Sequence, residues 1–232
     1  MMGRKSSGSI SRACDDADGA PRQNRAPAGE DNQMPIQKIY CNSCGEKVEP
    51  LIARNEKGEE TNFCINCGLP LEDGVAEGDH QLEHVVIAED SARIQKVISD
   101  VLVGRGFARM LSTCVTGEEL IARLTNLFAH GRSPDLIILD VNIPGMNGIE
   151  CAVSLRALEQ GMSTKEPVPI LFFTAEQCDA KFKQTLRTLS PAMYVNKMSD
   201  SSPELLEKRF QTVIAKLLEL RKKRATHDPG FL

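Results

Sequence analysis

From His84 onward, short apolar runs alternate with stretches whose apolar residues repeat at helical spacing. Val85-Val86-Ile87-Ala88 reads as a buried strand, and Ile94, Val97, Ile98, Val101 and Leu102 then mark one face of a helix. Arg109–Thr113 reads as a second, weaker strand, followed by a helix carrying Leu120, Ile121, Leu124, Leu127 and Phe128. Leu136–Leu139 is the third strand, with Ala152, Leu155 and Leu158 on the third helix. Val168–Phe173 is the fourth strand, and Phe182, Leu186 and Leu189 stripe the fourth helix. Met193-Tyr194-Val195 is the fifth strand. Ser202-Pro203-Glu204 then has the form of a helix start: a capping hydroxyl, a proline in the first turn and an acid against the helix dipole. The last helix carries Leu206, Phe210, Val213, Ile214, Leu217 and Leu218. Strands and helices in strict alternation predict an α/β domain: a doubly wound, five-stranded parallel sheet between two helical layers.

The pattern is different ahead of this domain. Residues 1–37 lack any apolar period and are rich in Ser, Gly and Pro, so they are expected to be a disordered leader. Met34 leaves two translation starts open, Met1 and Met34. Residues 38–71 hold two cysteine pairs and form a small unit of their own. Residues 72–83 are acidic and contain glycine, as a linker would. The sheet domain is expected over 84–224, and 225–232 as a tail.

Composition narrows the function. Trp is absent and aromatics make up 4% of the 232 residues, which weakens any reading based on stacking of nucleic-acid bases. The net charge of −4 does not suit a general binder of phosphate backbones. No apolar run approaches the ~20 residues of a membrane span. The first residues carry Arg4, Lys5, Arg12, Asp15, Asp16 and Asp18 and no apolar signal region. The expected compartment is the cytoplasm, with no membrane insertion. Eight cysteines in a reducing compartment point to a metal or to buried thiols.

In parallel sheets of this kind, sites form beyond the carboxyl ends of the strands. Glu89 and Asp90 follow the first strand, Asp140 the third, Thr174 ends the fourth and Lys197 follows the fifth. Three converging carboxylates repel unless a cation neutralises them, and oxygen ligands of this charge suit Mg²⁺. Lys197 and Thr174 supply the point charge and hydroxyl that a phosphoryl group needs on its remaining oxygens. Asp140 is the natural acceptor, since a carboxylate can attack phosphorus to form an acyl phosphate. Taken singly, each of these residues has an ordinary structural role; together, in this order, they describe a site.

These residues resemble the receiver domain of two-component response regulators over roughly 84–220. The resemblance rests on Glu89-Asp90, the block Asp140-Val141-Asn142-Ile143-Pro144-Gly145-Met146-Asn147-Gly148, the pair Thr174-Ala175, and Tyr194 three residues before Lys197. It implies the flavodoxin-like strand order 2-1-3-4-5. It also implies that Asp140 takes phosphate from a histidine kinase, and that Glu89, Asp90, Asp140 and the backbone carbonyl of Asn142 hold Mg²⁺. By the same resemblance Thr174 and Lys197 assist the transfer, Thr174 and Tyr194 form a switch pair, and Ala175 leaves room for the phosphoryl group. Asn142 and Glu176 then flank the approach of water and tune dephosphorylation. One position departs from the family: Met198 stands where a proline usually follows the lysine.

Cys41-Asn42-Ser43-Cys44-Gly45 is echoed by Cys64-Ile65-Asn66-Cys67-Gly68, with nineteen residues between the pairs. Two such knuckles read as a Zn²⁺ site in which Cys41, Cys44, Cys64 and Cys67 close a tetrahedron. A redox dithiol, a disulfide pair and a rubredoxin-type iron site use similar pairs; the doubled knuckle with its glycine favours zinc. A unit this short has too little core to fold unaided, so the metal would supply its folding energy, while the sheet domain is expected to stand on its own core. Lys47–Arg54 and Glu60–Phe63 are its candidate strands, and the whole resembles a zinc ribbon. Cys114 and Cys151 read as small buried hydrophobes.

The expected function is that of a phosphorylation-dependent response regulator, not an enzyme. With twelve residues beyond Leu220, it is expected to signal by binding an unidentified downstream protein. An alternative makes the ribbon a nucleic-acid binder and the chain a transcriptional regulator. Four basic against six acidic residues over 38–72 disfavour that alternative.

Overall fold

The computed structural model describes residues 37–54, 58–71, 81–104, 106–162, 164, 166–197 and 202–227. The predicted leader up to residue 36, Cys14, residues 72–80 of the linker, Met198 and the last five residues lie outside the described residues.

Two antiparallel hairpins come first. β1 (Ile39–Cys41) pairs with β2 (Glu46–Val48), and β3 (Pro50–Arg54) pairs with β4 (Glu60–Cys64). The single strand predicted over 47–54 is therefore two strands with different partners. They part at Glu49, just before Pro50, which has no N–H to contribute to a ladder. β1 was not anticipated: three residues are too few to show a period.

The sheet domain follows as β5 (Leu82–Ala88), α1 (Ala92–Gly104), β6 (Ala108–Cys114), α2 (Gly117–Ala129), β7 (Leu136–Leu139), α3 (Gly148–Gly161), β8 (Ile170–Thr174), α4 (Ala180–Thr188), β9 (Ala192–Asn196) and α5 (Pro203–His227). All neighbouring strands are parallel, in the order β6-β5-β7-β8-β9. This is the predicted doubly wound, flavodoxin-like fold. The central strands are buried on both faces, which is why β7 reads Leu-Ile-Ile-Leu without alternation. β6 lies at an edge and exposes Met110, which accounts for its weaker pattern. β8 begins two residues later than predicted. Val168 is fully buried but its N–H goes to Glu159 Oε1 and its carbonyl to Arg156, and Pro169 has no N–H, so pairing with β9 starts at Ile170. Side-chain caps start α3 and α5, the second at the predicted Ser202. Asn147 and Glu150 form a reciprocal capping box on α3, and Ser202 accepts from the N–H of Leu205. Among the described residues, no helix is long and apolar enough to cross a membrane.

His84, largely buried in β5, bonds Ser112 Oγ on β6 through Nε2 at 2.9 Å. Burial holds its pKa below the ordinary histidine value of about 6.5; Arg123 and Arg132 act in the same direction and Asp135 opposes them. The folded state then binds fewer protons here than the unfolded state. This stabilisation is present above the ordinary value and is lost as pH falls through it. The melting temperature is expected to drop between pH 7.5 and 5.5, and the drop should be smaller in His84→Gln, as measured by circular dichroism.

Candidate functional site

The parallel ladders carry the ends of β5, β7, β8 and β9 to one edge of the sheet, and the predicted polar residues meet there. Asp140 follows β7, its N–H bonded to the carbonyl of Ala88 at 2.9 Å; Glu89 follows β5, its N–H bonded to Cys114. Glu89, Asp90 and Asp140 each offer an oxygen within 4.8 Å of the others. Lys197, one residue past β9, reaches in with Nζ 2.6 Å from Glu89 Oε2 and 2.7 Å from Asp140 Oδ2. Its ammonium also lies 5.6 Å from the centroid of the Phe173 ring. Burial raises the Glu89 carboxyl above its ordinary value, and the Lys197 ammonium partly offsets this. Asp140 Oδ1 is buried and accepts no hydrogen bond from the described residues. A buried carboxylate oxygen without a partner is costly, and it suits a site that takes a cation or a reacting group. The donor set of two buried acids, one exposed acid and the loop after β7 fits a hard divalent ion that keeps some of its waters.

Around this centre, Thr174 is fully buried at the end of β8 and its hydroxyl accepts from the N–H of Glu176 at 3.2 Å. Ala175 is exposed beside it. Asn142 Nδ2 donates to Glu176 Oε1 at 3.0 Å, so the two predicted tuning residues touch across the mouth of the site.

The four knuckle cysteines form a second centre. Cys41 and Cys67 Sγ are 3.6 Å apart, as are Cys44 and Cys64 Sγ, and all four lie within 4.8 Å of one another. Thiolates around one tetrahedral ion with ~2.3 Å bonds stand about 3.8 Å apart, close to these separations. The N–H groups of Cys44 and Leu69 point at Cys41 and Cys67 Sγ at 3.5 and 3.4 Å. Cys114 and Cys151 are buried elsewhere, and burial pushes the Cys151 thiol up to about 11.

The two centres are joined, which the sequence did not suggest. Tyr194 is buried in β9, edge-on to Phe182 at 5.8 Å, and its hydroxyl donates to Cys44 Sγ at 3.1 Å. Burial raises its phenol pKa, and the bond to Cys44 adds to the rise. Arg209 of α5, fully buried, donates to the carbonyls of Asn42, Ser43 and Asn196. Ser43, Asn196 and Arg209 were not among the predicted site residues. The one available hint is that Arg209 sits three positions after Leu206, on the apolar face of its helix.

A family model described as the response regulator receiver domain matches residues 85–209, more than half of the chain. The chain belongs to the response regulator receiver family. Similar proteins include the DNA-binding response regulator MtrA of Mycobacterium tuberculosis, 35% identical over 98 residues, covering 42% of this chain and 37% of that protein. A protein-glutamate methylesterase/protein-glutamine glutaminase of Clostridium acetobutylicum is 29% identical over 91 residues, covering 39% of this chain and 23% of that one. The chain thus spans well under half the length of either relative. The solved chemotaxis protein CheY4 of Vibrio cholerae is 29% identical with a TM-score of 0.44, covering 57% of this chain and 98% of that chain.

Within the receiver, the glycine that closes the Asp140 block has a steric cause. A Cβ on Gly148 would lie 2.1 Å from the Asp140 carbonyl oxygen and 2.9 Å from Val141 Cα. Both are backbone atoms flanking the acceptor, so they cannot swing aside as a side chain would. Gly148→Ala is expected to destabilise the fold by about 1–3 kcal/mol, as overpacking does, and urea denaturation will measure it.

Proposed function

We propose that this receiver accepts a phosphoryl group on Asp140 from a phosphohistidine of a histidine kinase, and that the chain signals by protein–protein binding. The observation that carries this reading is the buried, unpartnered Oδ1 of Asp140 beside a carboxylate pair and Lys197. In the transfer, a carboxylate oxygen of Asp140 attacks phosphorus. The P–N bond to the kinase imidazole breaks and its electron pair stays on that nitrogen. Glu89, Asp90, Asp140 and the Asn142 carbonyl are the groups that would hold Mg²⁺, which when bound neutralises charge on the phosphoryl oxygens. Lys197 keeps Asp140 oriented and offers its ammonium to the incoming group, and the Thr174 hydroxyl stands ready to donate to a phosphoryl oxygen. Asp140→Asn is nearly isosteric, so labelling by acetyl phosphate in Mg²⁺ should fall to background while circular dichroism is unchanged. Undiminished labelling of the variant would remove Asp140 from this role.

The Asn142–Glu176 pair supports a second step, hydrolysis of the acyl phosphate. Two polar side chains facing the approach can hold a water in line with phosphorus. Glu176→Ala and Asn142→Met should each lengthen the lifetime of the phosphorylated receiver several-fold, measured in Mg²⁺ without kinase. Equal decay in all three proteins would leave this pair out of the step.

For the thiol cluster we infer Zn²⁺ in a closed, structural Cys₄ site, supported by four sulfurs at tetrahedral spacing with backbone N–H groups aimed at two of them. Metal analysis of the purified chain should return one zinc per chain; iron would reassign the centre. Nucleic-acid binding by the ribbon is the less favoured reading, since acids outnumber bases over 38–72.

A further inference from the structure

β9 ends the sheet, so its outer edge would carry unpaired backbone groups. The first knuckle covers that edge. Ser43 accepts from the N–H of Asn196 at 2.9 Å through its carbonyl, and its hydroxyl donates to the carbonyl of Tyr194 at 2.5 Å. Arg209 ties the same carbonyl of Ser43, at 3.0 Å, to that of Asn196, at 2.9 Å. The Tyr194 hydroxyl reaches Cys44 Sγ, one of the four clustered sulfurs. Lys197 is the next residue after Asn196; its own N–H is held by the Thr174 carbonyl at 2.8 Å and its ammonium by Glu89 and Asp140.

β9 and the residue that follows it therefore touch both centres, Tyr194 at the thiols and Lys197 at the carboxylates. Ser43 lies between two of the sulfurs, Cys41 and Cys44, so drawing the thiolates onto one ion fixes the carbonyl and hydroxyl that grip Tyr194 and Asn196. At the other end, Lys197 bridges two carboxylates. A phosphoryl group on Asp140 adds oxygens and negative charge that compete with Glu89 for that ammonium, and the strand end that carries Lys197 must adjust.

We propose, resting on the phosphate and zinc assignments above, that the two centres are thermodynamically linked through β9. Zinc in the thiol cluster favours the arrangement with Asp140 unmodified, and a phosphoryl group on Asp140 weakens zinc binding. The thiol cluster then serves as a second input to the receiver, set by zinc supply. Linkage makes the effect reciprocal: zinc must oppose phosphoryl uptake by the same factor.

The full chain tests this with beryllofluoride as the phosphoryl mimic in Mg²⁺. Zinc affinity is read by competition with a chromophoric chelator, with and without beryllofluoride. The expected result is a weakening of roughly fivefold or more, with an equal gain in beryllofluoride affinity when zinc is removed. Ser43→Ala, which leaves all four thiols, Asp140 and Lys197 in place, should shrink the factor, and so should Tyr194→Phe. In Asp140→Asn, beryllofluoride should leave zinc affinity unchanged; a persisting effect would show fluoride acting on the metal directly and would overturn the linkage. Binding of both ligands with no mutual effect, or with mutual strengthening, overturns the linkage and leaves the proposed function standing. Failure of beryllofluoride to bind overturns the Asp140 reading, failure of zinc to bind overturns the thiol-site reading, and either one overturns the linkage with it.

Discussion

Parallel strands deliver the residues after them to one edge, and here that geometry packs Asp140 and Glu89 together in a buried site. Two buried carboxylates at this range are strongly unfavourable without a counter-charge. Among the described residues, Lys197 is the cation that pairs with both. Much else follows from keeping that ammonium in place. Lys197 follows the outermost strand on its side of the sheet, so the position of β9 decides whether the charges are compensated. Thr174 and β8 hold β9 from the inside, and α5 packs against both strands, its Phe210 edge-on to Phe173 of β8 at 5.2 Å.

The outer edge of β9 is where the small cysteine unit enters. That unit has little core of its own: Cys41, Cys44, Val48, Cys64, Leu69 and Leu71 make up its buried apolar residues. So small a core cannot sustain a fold unaided. It completes itself against the receiver, using Ser43 to satisfy β9 and Arg209 to satisfy its own carbonyls. Among the described residues Arg209 is the largest fully buried side chain, and its charge is tolerated because it donates to three backbone carbonyls. At this junction hydrogen bonds run from the knuckle into the receiver's own strand.

Much of this was legible beforehand. The five strands and five helices followed from apolar period, and the acids, Thr174 and Lys197 followed from their places after strands. The misplaced boundaries have local causes. Val168 looks like strand because it is apolar and buried, yet its backbone is taken by Glu159 and Arg156. β1 is too short to show a pattern, and its pairing with β2 splits what looked like one strand. The partner of Tyr194 was out of reach: its hydroxyl meets a sulfur 150 positions away.

The sequence by itself determined what local spacing encodes. Alternating periods specify the parallel sheet, residues after strands specify which side chains reach its edge, and two cysteine knuckles specify one four-thiol centre. Tertiary structure alone decided that Lys197 spans Glu89 and Asp140, that the first knuckle rather than a helix or loop covers β9, and that Tyr194 faces Cys44. Periodicity and ligand spacing report on residues that are neighbours along the chain. The surface that covers an exposed strand edge depends on the hydrogen bonds and burial offered by every distant segment at once, and no short-range pattern records that competition.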